Sequence, residues 1–477
     1  MKKIFSLIIS FIILTGLTQA QDLRVSVNKR YFENIDGEAF FWLGDTAWEL
    51  FHKLDREEAT HYLKTRANQG FTVIQAVILA ERDGLRVPNA YGEVPFHDMD
   101  PTQPNEAYFS HVDFIIAEAN RLGLTMGILP TWGDKVFSEH PGAGPVIFNS
   151  ENAKNYGLYL GRRYRENDLV WILGGDRNVA NEDVAKTWEA LAAGLEEGDN
   201  GRHLKTFHPR GFSSSSDSFE NADWLDFNMY QSGHVKPFLE VYRFVKKDLA
   251  LRPQKPTVEG EPAYEDIPVK FWEYMKFQPG EFAAFTDDHG ILKDQSSFPE
   301  GFFSGYDVRV LAYWDMLAGA AGFTYGNNAV WQMHKEGETF VIPALTDWKG
   351  ALKRPGAESM KYFRKFFEEI DFTKIVSDQK LILSENPEGE NQIRSARAND
   401  GSFVIVYLAK PREVKVDLTE ITGEKLSGFW YNPRTGKKNA IPKFSSSVPL
   451  TIQPPSNGAE EDWVLLILDK LEIRREK

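Results

Sequence analysis

The chain has 477 residues, 42% of them hydrophobic, which is enough for a large barrel with an accessory domain. Its formal net charge of −14, without a run of lysines and arginines, argues against a surface that binds nucleic acid. The sequence contains no cysteine, which excludes disulfides, thiol catalysis and cysteine-based metal sites.

The first twenty residues have the three parts of a secretory signal peptide. Lys2 and Lys3 precede an apolar stretch at 4–14, and residues 18–20 (Thr-Gln-Ala) provide a small-residue cleavage site. We therefore expect residues 1–20 to be removed and the protein to be exported, either to the periplasm or out of the cell. The alternative is an N-terminal membrane anchor, but the apolar run is short for a bilayer, so we expect no membrane span in the mature chain.

From about residue 38 to residue 370, strand-like apolar runs alternate with helix-like segments. The predicted strands lie at 40–48, 71–79, 125–132, 168–176, 204–209, 224–233, 256–265 and 321–331. The predicted helices lie at about 56–69, 111–122, 153–164, 182–195, 238–247 and 308–319. This order predicts a (β/α)8 barrel over 21–371. The alternative, an open doubly wound sheet, is disfavoured because the sequence has neither a G-x-G-x-x-G motif after the first strand nor a P-loop.

After about residue 372 the pattern changes to short strands broken by Gly, Pro, Asn and Asp. The stretches SFVIVYLA and DWVLLILD are typical of buried strands. We predict a β-sandwich over 372–477 that packs against the barrel, since no long linker precedes it. Two roles are open for this region: a structural buttress, which we favour, and a polysaccharide-binding module.

A (β/α)8 barrel carries its active site at the carboxyl ends of its strands, so the polar residues that end the apolar runs should converge. These residues are Asp45, Trp48, Glu81, Arg82, Asp83, Trp132, Asp134, Asp176, Arg177, Asn178, His208, Asn228, Tyr230, Glu259, Glu261, Glu265, Asn327, Asn328 and Trp331. The sequence lacks the G-x-S-x-G motif of serine hydrolases, and we expect no cofactor and no metal. A metal-dependent hydrolase built around His208 remains a weaker alternative.

Carboxylates beside aromatic platforms are the groups that glycoside cleavage requires. One acid donates a proton to the leaving oxygen, and a second attacks or stabilises the anomeric carbon. We predict Asp176, at the end of LVWILGGD, as the donor, because burial and a nearby carboxylate both raise a pKa. Its partner is expected in VEGEPAYE, where Glu261 is favoured and Glu259 is the alternative. Arg177 should point away from Asp176, because consecutive strand residues face opposite sides.

Several stretches resemble the apiosidase-like barrels of glycoside hydrolase family 140. The stretches are FFWLGDTAWELF, GFTVIQAVIL, WILGGDRN, GEPAYE and DVRVLAYWDMLAGAAGFTYGNNAVWQ, and the tail (GFWYNPRTG, DWVLLILD) resembles the small collagen-binding-like sandwich of the same proteins. The collagen label itself does not follow from the residues.

The resemblance implies a retaining hydrolase with Asp176 as acid/base and Glu261 as nucleophile. It also implies cleavage of the apiose linkage to the galacturonan backbone of rhamnogalacturonan II, a pectin. Related barrels of the larger clan carry Asn-Glu at the fourth strand, where this chain has Gly175 and Asp176. The acid/base of the clan therefore cannot be transferred to this chain by residue type.

Other residues at the strand ends are predicted to bind the saccharide. These substrate-binding residues are Asp45, Trp48, Trp132, His208, Tyr230, Asn328 and Trp331. Trp331 is expected to stack under the sugar, and Tyr230 to hydrogen-bond the nucleophile. The cationic candidates for an acidic substrate are Arg82, Arg177, His208 and His234. A non-catalytic glycan-binding protein on a barrel scaffold and a hydrolase of different sugar specificity remain the alternatives.

Overall fold

The computed structural model describes residues 22–81, 83–138, 144–275, 285–338, 340–423 and 425–469. The predicted signal peptide at 1–20 and the cationic candidate Arg82 therefore lie outside the described residues. Within the part of the chain that is described, no helix combines the length and the apolar character needed to cross a bilayer.

The first part of the chain contains short antiparallel strands followed by the barrel strands. The antiparallel strands are β1 (Leu23–Val25), β2 (Phe32–Asn34) and β3 (Ala39–Phe40). The strands that follow are β4 (Trp42–Thr46), β5 (Val73–Val77), β6 (Thr125–Leu129), β7 (Leu169–Gly174), β8 (Lys205–His208), β9 (Ser213–Ser214), β10 (Asn228–Gln231), β11 (Thr257–Glu259) and β12 (Gly322–Tyr325).

Helices alternate with these strands. They are α1 (Leu50–Lys53), α2 (Arg56–Asn68), α3 (Glu106–Arg121), α4 (Ser150–Tyr164), α5 (Glu182–Asp199), α6 (Ser216–Phe219), α7 (Tyr242–Leu249), α8 (Phe271–Tyr274), α9 (Gly305–Ala318), α10 (Asn328–Trp331), α11 (Trp348–Ala351) and α12 (Pro355–Glu369). Short 3₁₀ helices lie at His97–Met99, Gly133–Lys135, Gln295–Ser297, Phe372–Lys374 and Gln379–Leu381.

Capping side chains explain where two predicted boundaries were wrong. Helix α3 begins at Glu106, before the predicted 111, because the Asn105 side chain accepts from Ala107 N (3.1 Å) and caps it. The predicted eighth strand ends early, at Tyr325, and Asn327 caps α10 by accepting from Ala329 N (2.9 Å). The far end of that predicted strand is therefore helical.

The barrel is formed by parallel strands in the order β4 to β8, then β10, β11 and β12, which pairs back onto β4. Strands β8 and β10 meet through the residues before β10. Asp226 N donates to Lys205 O (2.9 Å), and Thr206 Oγ1 donates to Phe227 O (2.7 Å). The predicted (β/α)8 barrel is thus confirmed, and β9 adds an antiparallel pair at the end of β10.

Alternation along each strand separates the barrel interior from the layer of helices. On β7, Trp171 faces outward, and its Nε1 donates to Asp199 of α5 (2.9 Å). Ile172 faces inward, where a Cβ on Gly127 would lie 3.0 Å from its Cδ1. Phe32 of β2 is fully buried against Trp42. The antiparallel strands therefore pack on the amino end of the barrel, and the carboxyl end is the one on which a site can be built.

The region after the barrel is all-β, as predicted. Its strands are β13 (Ile375–Ser377), β14 (Ile393–Ala398), β15 (Phe403–Leu408), β16 (Val414–Val416), β17 (Lys425–Tyr431), β18 (Lys438–Ala440), β19 (Phe444–Ser445), β20 (Leu450–Ile452) and β21 (Trp463–Leu468). The main sheet has the order β13-β14-β15-β21-β17-β18, with β19 on β17, and β16 pairs with β20. A separate apolar core, including Val406, Trp430 and Leu465, holds the two sheets together.

This all-β region packs on the outer helices of the barrel. Tyr313 of α9 stacks on Tyr407 of β15, with ring centroids 4.7 Å apart. Arg309 of α9 forms two buried hydrogen bonds to Asp462, of 2.8 and 2.9 Å. Tyr431 OH donates to the Tyr362 carbonyl of α12 (2.8 Å). The predicted packing against the barrel is therefore observed, while the role of this region as a buttress or as a binding module stays a prediction.

Candidate active site

Strand β7 ends in a turn of three residues with positive φ: Gly174 (92°), Gly175 (112°) and Asp176 (50°). Both glycines are needed for close packing, since a Cβ on Gly174 would lie 2.3 Å from His208 O and one on Gly175 2.8 Å from the Trp132 ring. Asp is one of the few residues that tolerate the left-handed region. The turn therefore redirects the chain at the point where Asp176 leaves the strand.

The Asp176 carboxyl holds its proton near neutral pH. Burial in the site raises its pKa, and the negative charges of Glu261 and Glu81 raise it further, to about 7, against the opposing effects of Arg177 and His208. Its side chain is nevertheless 37% exposed, so it is accessible from the solvent side of the barrel. Asp176 thus has the two properties that a proton donor needs, a raised pKa and an open approach.

The prediction that Arg177 points away from Asp176 is wrong. Arg177 Nη1 lies 3.4 Å from Asp176 Oδ2, and its Nη2 lies 3.2 Å from Glu81 Oε1. The left-handed turn is the physical reason, because strand alternation no longer applies once the chain leaves β7. Arg177 therefore connects two carboxylates, and its charge is shared between them.

Glu261 lies just beyond strand β11, on a backbone that is held from two sides. Gly260 N donates to Tyr230 O (2.8 Å), and Gly260 O accepts from Gln75 Nε2 (2.9 Å) inside the barrel. A Cβ on Gly260 would lie 2.5 Å from Met229 Cγ, so glycine is the residue that fits there. This packing fixes the position from which the Glu261 side chain extends.

Two histidines face the Glu261 carboxylate, one at each oxygen. His208 Nε2 lies 3.2 Å from Oε2, and His234 Nε2 lies 3.3 Å from Oε1. On the other side of its ring, His234 Nδ1 lies 3.4 Å from Tyr264 N. Burial alone would raise the pKa of Glu261, but the hydrogen bonds and charges of His208 and His234 outweigh it and lower the pKa to about 2.

Aromatic rings line the site beside the two carboxyls. The Trp48 ring meets the Trp132 ring edge-on at 5.2 Å and the His208 ring at 5.5 Å. Trp48 Nε1 donates to Tyr264 OH (3.2 Å), and Tyr264 is also close enough to feel the charge of Glu261. Among the described residues, Trp132 Nε1 is buried without a hydrogen-bond partner. Three predicted residues, Trp48, Trp132 and His208, are therefore assembled around Glu261.

An open cleft of about 660 Å³ adjoins the acid side of the site. Its lining includes Glu49, His52, Lys53, Glu81 and Lys335. Glu81 belongs both to this cleft and to the Arg177 contact described above. The cleft is large enough for more than one sugar residue.

Two predicted substrate contacts, Asp45 and Tyr230, point into the layer between strands and helices. Asp45 Oδ2 accepts from Tyr62 OH (2.5 Å) and Arg66 Nε (2.6 Å), and its side chain is fully buried. Tyr230 OH donates to Asp315 Oδ1 (2.5 Å) and not to Glu261, so the predicted bond to the nucleophile is wrong. Both side chains point outward from the barrel, toward the helices. The sequence pattern does not distinguish outward-facing from inward-facing residues on these strands.

The two other acids of VEGEPAYE are also turned away from the site. Glu259 is fully buried, and its Oε1 accepts from Ser232 N (3.1 Å) and Glu261 N (3.2 Å). Glu265 accepts from Tyr325 OH (2.5 Å) and Gly356 N (2.9 Å). This geometry favours Glu261 over Glu259 as the reactive acid.

Asn328 and Trp331 bond to each other in α10. Trp331 Nε1 donates to Asn328 Oδ1 (3.2 Å), and Asn328 Nδ2 donates to Pro343 O (2.9 Å). Both polar ends of the Asn328 amide are therefore engaged in holding protein groups, contrary to the predicted substrate contact. Stacking of a sugar on Trp331 stays a prediction.

The sequence reasoning did not single out Tyr264, although it lies in the quoted GEPAYE stretch. His234 was considered only as a source of positive charge and not as a partner of the nucleophile. The signal available for both was proximity in the chain, since Tyr264 follows Glu261 by three residues and His234 follows β10. In the described part of the chain, we find no group of three or more His, Asp and Glu side chains arranged to hold a metal.

Comparisons with known proteins agree with this architecture. Residues 26–374 match the family described as "Apiosidase-like, catalytic domain", and residues 376–469 match the family described as "Putative collagen-binding domain of a collagenase". A solved structure named "Glycoside hydrolase" is 32% identical, with a TM-score of 0.82, and the match covers 95% of this chain and 97% of that one. A glycoside hydrolase family 5 structure from Bacteroides vulgatus ATCC 8482 is 30% identical, with a TM-score of 0.82, and the match covers 96% of this chain and 95% of that one. No curated protein is significantly similar to the chain.

Proposed function

The chain belongs to the apiosidase-like family of catalytic domains and is a glycosidase, and we propose that it hydrolyses its substrate with retention of anomeric configuration. In this proposal Asp176 is the acid/base and Glu261 is the nucleophile. The observation that carries the assignment of the two roles is the opposite pKa of the carboxyls, about 7 for Asp176 and about 2 for Glu261, and the likeness to the apiosidase-like family supports retention. At mildly acidic pH one therefore holds a proton and the other is an anion.

In the first step the Glu261 carboxylate attacks the anomeric carbon, and the bond between that carbon and the glycosidic oxygen breaks. The Asp176 proton moves to the departing oxygen, which leaves as an alcohol, and a glycosyl ester forms on Glu261. In the second step the Asp176 carboxylate takes a proton from a water molecule. The oxygen of that water attacks the anomeric carbon, and the bond between this carbon and Glu261 breaks. Both carboxyls return to their starting protonation states, so the cycle closes.

Each neighbour of Glu261 has a defined task in this scheme. His208 and His234 hold the two carboxylate oxygens, and so orient the anion before the substrate arrives. The edge-packed rings of Trp48 and Trp132 restrict water around it. The cleft of about 660 Å³ adjoins Asp176 through Glu81 and Arg177, and would hold the leaving saccharide, because the acid must reach the leaving oxygen.

We propose that the substrate is a plant cell-wall polysaccharide such as rhamnogalacturonan II, in which the apiose linkage is cleaved. We also propose that the protein is exported and so reaches this substrate. Membership of the apiosidase-like family supports the sugar. The signal-like residues 1–20 support export.

Incubation of the mature protein with pectic fragments and neutral plant glycans tests both parts of the proposal. We expect release of apiose from rhamnogalacturonan II fragments, with an initial product that NMR shows to have the anomeric configuration of the substrate. An inverted product would overturn the retaining mechanism. Release of another sugar alone would overturn the substrate, and binding without any turnover would favour the glycan-binding alternative.

An experiment with a chelator distinguishes the proposed mechanism from that of a metal-dependent hydrolase. Dialysis against a chelator should leave the rate of hydrolysis unchanged, because the proposed chemistry uses only two carboxyls. Loss of activity that is restored by added metal would favour a metal-dependent hydrolase.

A further inference from the structure

A second carboxyl, which the proposed mechanism does not use, lies directly behind the Glu261 backbone. Glu259 is fully buried, and its Oε1 accepts from the backbone N–H groups of Glu261 (3.2 Å) and Ser232 (3.1 Å). The two segments also bond directly, because Gly233 N donates to Glu261 O (3.1 Å). One oxygen of Glu259 therefore joins the segment that carries the nucleophile to the segment that leads to His234.

The Glu259 side chain also lies within range of the charge of a third buried acid, Asp315. Glu259 and Tyr230 are register partners on β11 and β10, so their side chains share one face of the sheet. Tyr230 OH donates to Asp315 Oδ1 (2.5 Å) on α9, and Asp315 is fully buried. Among the described residues, Glu259 Oε2 and Asp315 Oδ2 are both buried without a hydrogen-bond partner. Each acid thus has one satisfied oxygen and one free oxygen.

The charges around this pair do not allow both acids to be ionised. Tyr230 of β10 and Arg394 of β14 act on Asp315, and Asp248 of α7 acts on Tyr230. Arg394 is the one cation among them, and it lies over the Tyr242 ring at 4.1 Å. Burial and the charge of Asp315 raise the pKa of Glu259 well above its ordinary value. Two adjacent buried carboxylates with a single offset cation are unfavourable, so one proton is retained.

We propose that Glu259 is a positioning residue for the reaction, because its Oε1 holds the backbones of Glu261 and Ser232. This inference rests on the assignment of Glu261 as the nucleophile in the proposed function. A neutral acid suits the place, because an anion two residues from Glu261 would oppose the ionisation of the nucleophile. The oxygen that accepts the two N–H groups is Oε1, so the proton belongs on Oε2.

The test compares two substitutions at this position. Glu259→Gln keeps a neutral oxygen that can accept both N–H groups, so we expect kcat within about threefold of the wild type. Glu259→Leu fills a similar volume without an acceptor, so we expect kcat to fall by about 10²-fold, with KM changed by less than about threefold, since the nucleophile is displaced and not removed. Rescue by glutamine and the separation of kcat from KM are effects that a purely structural role would not produce.

Glu265→Ala is the matched control, because it removes another buried carboxyl of the same segment that bonds away from the site. We expect it to lower the thermal midpoint while kcat stays within about threefold of the wild type. A leucine variant that keeps the wild-type kcat would overturn the inference. If that variant does not fold, the glutamine variant decides, since a loss of more than about tenfold in its kcat would also overturn it.

A readout independent of turnover separates this inference from the proposed function. Hydrogen–deuterium exchange of the peptide covering 259–264 should be faster in Glu259→Leu than in the wild type, and unchanged in Glu259→Gln. If the wild type hydrolyses no glycan but the exchange results hold, the proposed function fails while the positioning role stands. If hydrolysis is found but exchange and kcat are insensitive to leucine, the positioning role fails alone.

Discussion

Asp176 and Glu261 lie at the same end of the barrel, but their surroundings move their pKa values in opposite directions. Asp176 is the more exposed, with 37% of its side chain open, and it faces the negative charges of Glu261 and Glu81. Glu261 is only 9% exposed, yet it is the stronger acid because a histidine faces each of its oxygens. The more buried carboxyl is thus the ionised one.

The difference shows that the charged and polar groups around each carboxyl, and not its burial, decide the protonation states of Asp176 and Glu261. Burial raises the pKa of both acids, and only Glu261 has two histidines close enough to reverse the effect. The cation nearest Asp176 is Arg177, which it shares with Glu81. The active combination, a protonated Asp176 and an ionised Glu261, therefore exists between about pH 2 and about pH 7.

Removal of Glu261 should have the largest effect on the rate of hydrolysis. For Glu261→Ala we expect kcat to fall on the order of 10⁵-fold or more, because loss of a covalent nucleophile removes the reaction path itself. Steady-state hydrolysis of the natural substrate measures this, with glycan binding followed in parallel. Binding should persist in the variant, and a residual rate within about 10²-fold of the wild type would exclude Glu261 as the nucleophile.

Neutralising Asp176 should have a smaller and pH-dependent effect. In the wild type Asp176 must carry a proton, so kcat/KM should be full below pH 7 and decline as the pH rises through about 7. Asp176→Asn should lower kcat/KM by about 10²- to 10⁴-fold and abolish that alkaline decline. The loss should shrink with an aryl glycoside, whose leaving group needs little protonation.

The profile should be recorded from pH 4 to pH 9 for both proteins. Asp183→Asn is a suitable control, since Asp183 is an acid in the first turn of α5, outside the site. An alkaline limb that survives unchanged in Asp176→Asn would assign it to another group.

Removal of His234, one of the two histidines that face Glu261, should have the smallest effect on the rate of hydrolysis. In His234→Ala, Glu261 loses one of the two partners that lower its pKa, so burial should raise that pKa. We expect the acid limb of kcat/KM to move to higher pH, with the rate at pH 6 within about tenfold of the wild type. A parallel His203→Ala variant removes a histidine paired with Asp199 away from the site and should leave the limb in place. An unmoved limb in His234→Ala would mean that His208 alone sets the acidity of Glu261.

The sequence was sufficient for the barrel and for the two central acids. Apolar runs that end on acids identify parallel strands and their carboxyl ends, and this reasoning places Asp176 and Glu261 at one rim. It could not separate the inward from the outward phase of fully buried strands, where both faces are apolar. Asp45 and Tyr230 were misjudged for this reason, since each pairs with a helix residue that is distant in sequence.

The details of the β7 turn were beyond the sequence pattern for a different reason. The glycines in WILGGDRN indicate a turn, but its shape depends on the close approach of Gly174 to His208 O and of Gly175 to the Trp132 ring, and both of these partners are distant in the sequence. That conformation also placed Arg177 beside Asp176, against the expectation from strand alternation. Local pattern predicts which residues reach the rim, whereas tertiary packing decides where they point.

The packing of the all-β region on the barrel limits where the chain can be truncated. Its two family matches, at 26–374 and 376–469, invite truncation at the junction. Such a cut would remove Asp462, the carboxylate partner of Arg309, and would expose the face of the Tyr313 ring that stacks on Tyr407. Module shuffling, in evolution or in the laboratory, must therefore carry a complementary docking face along with the catalytic half.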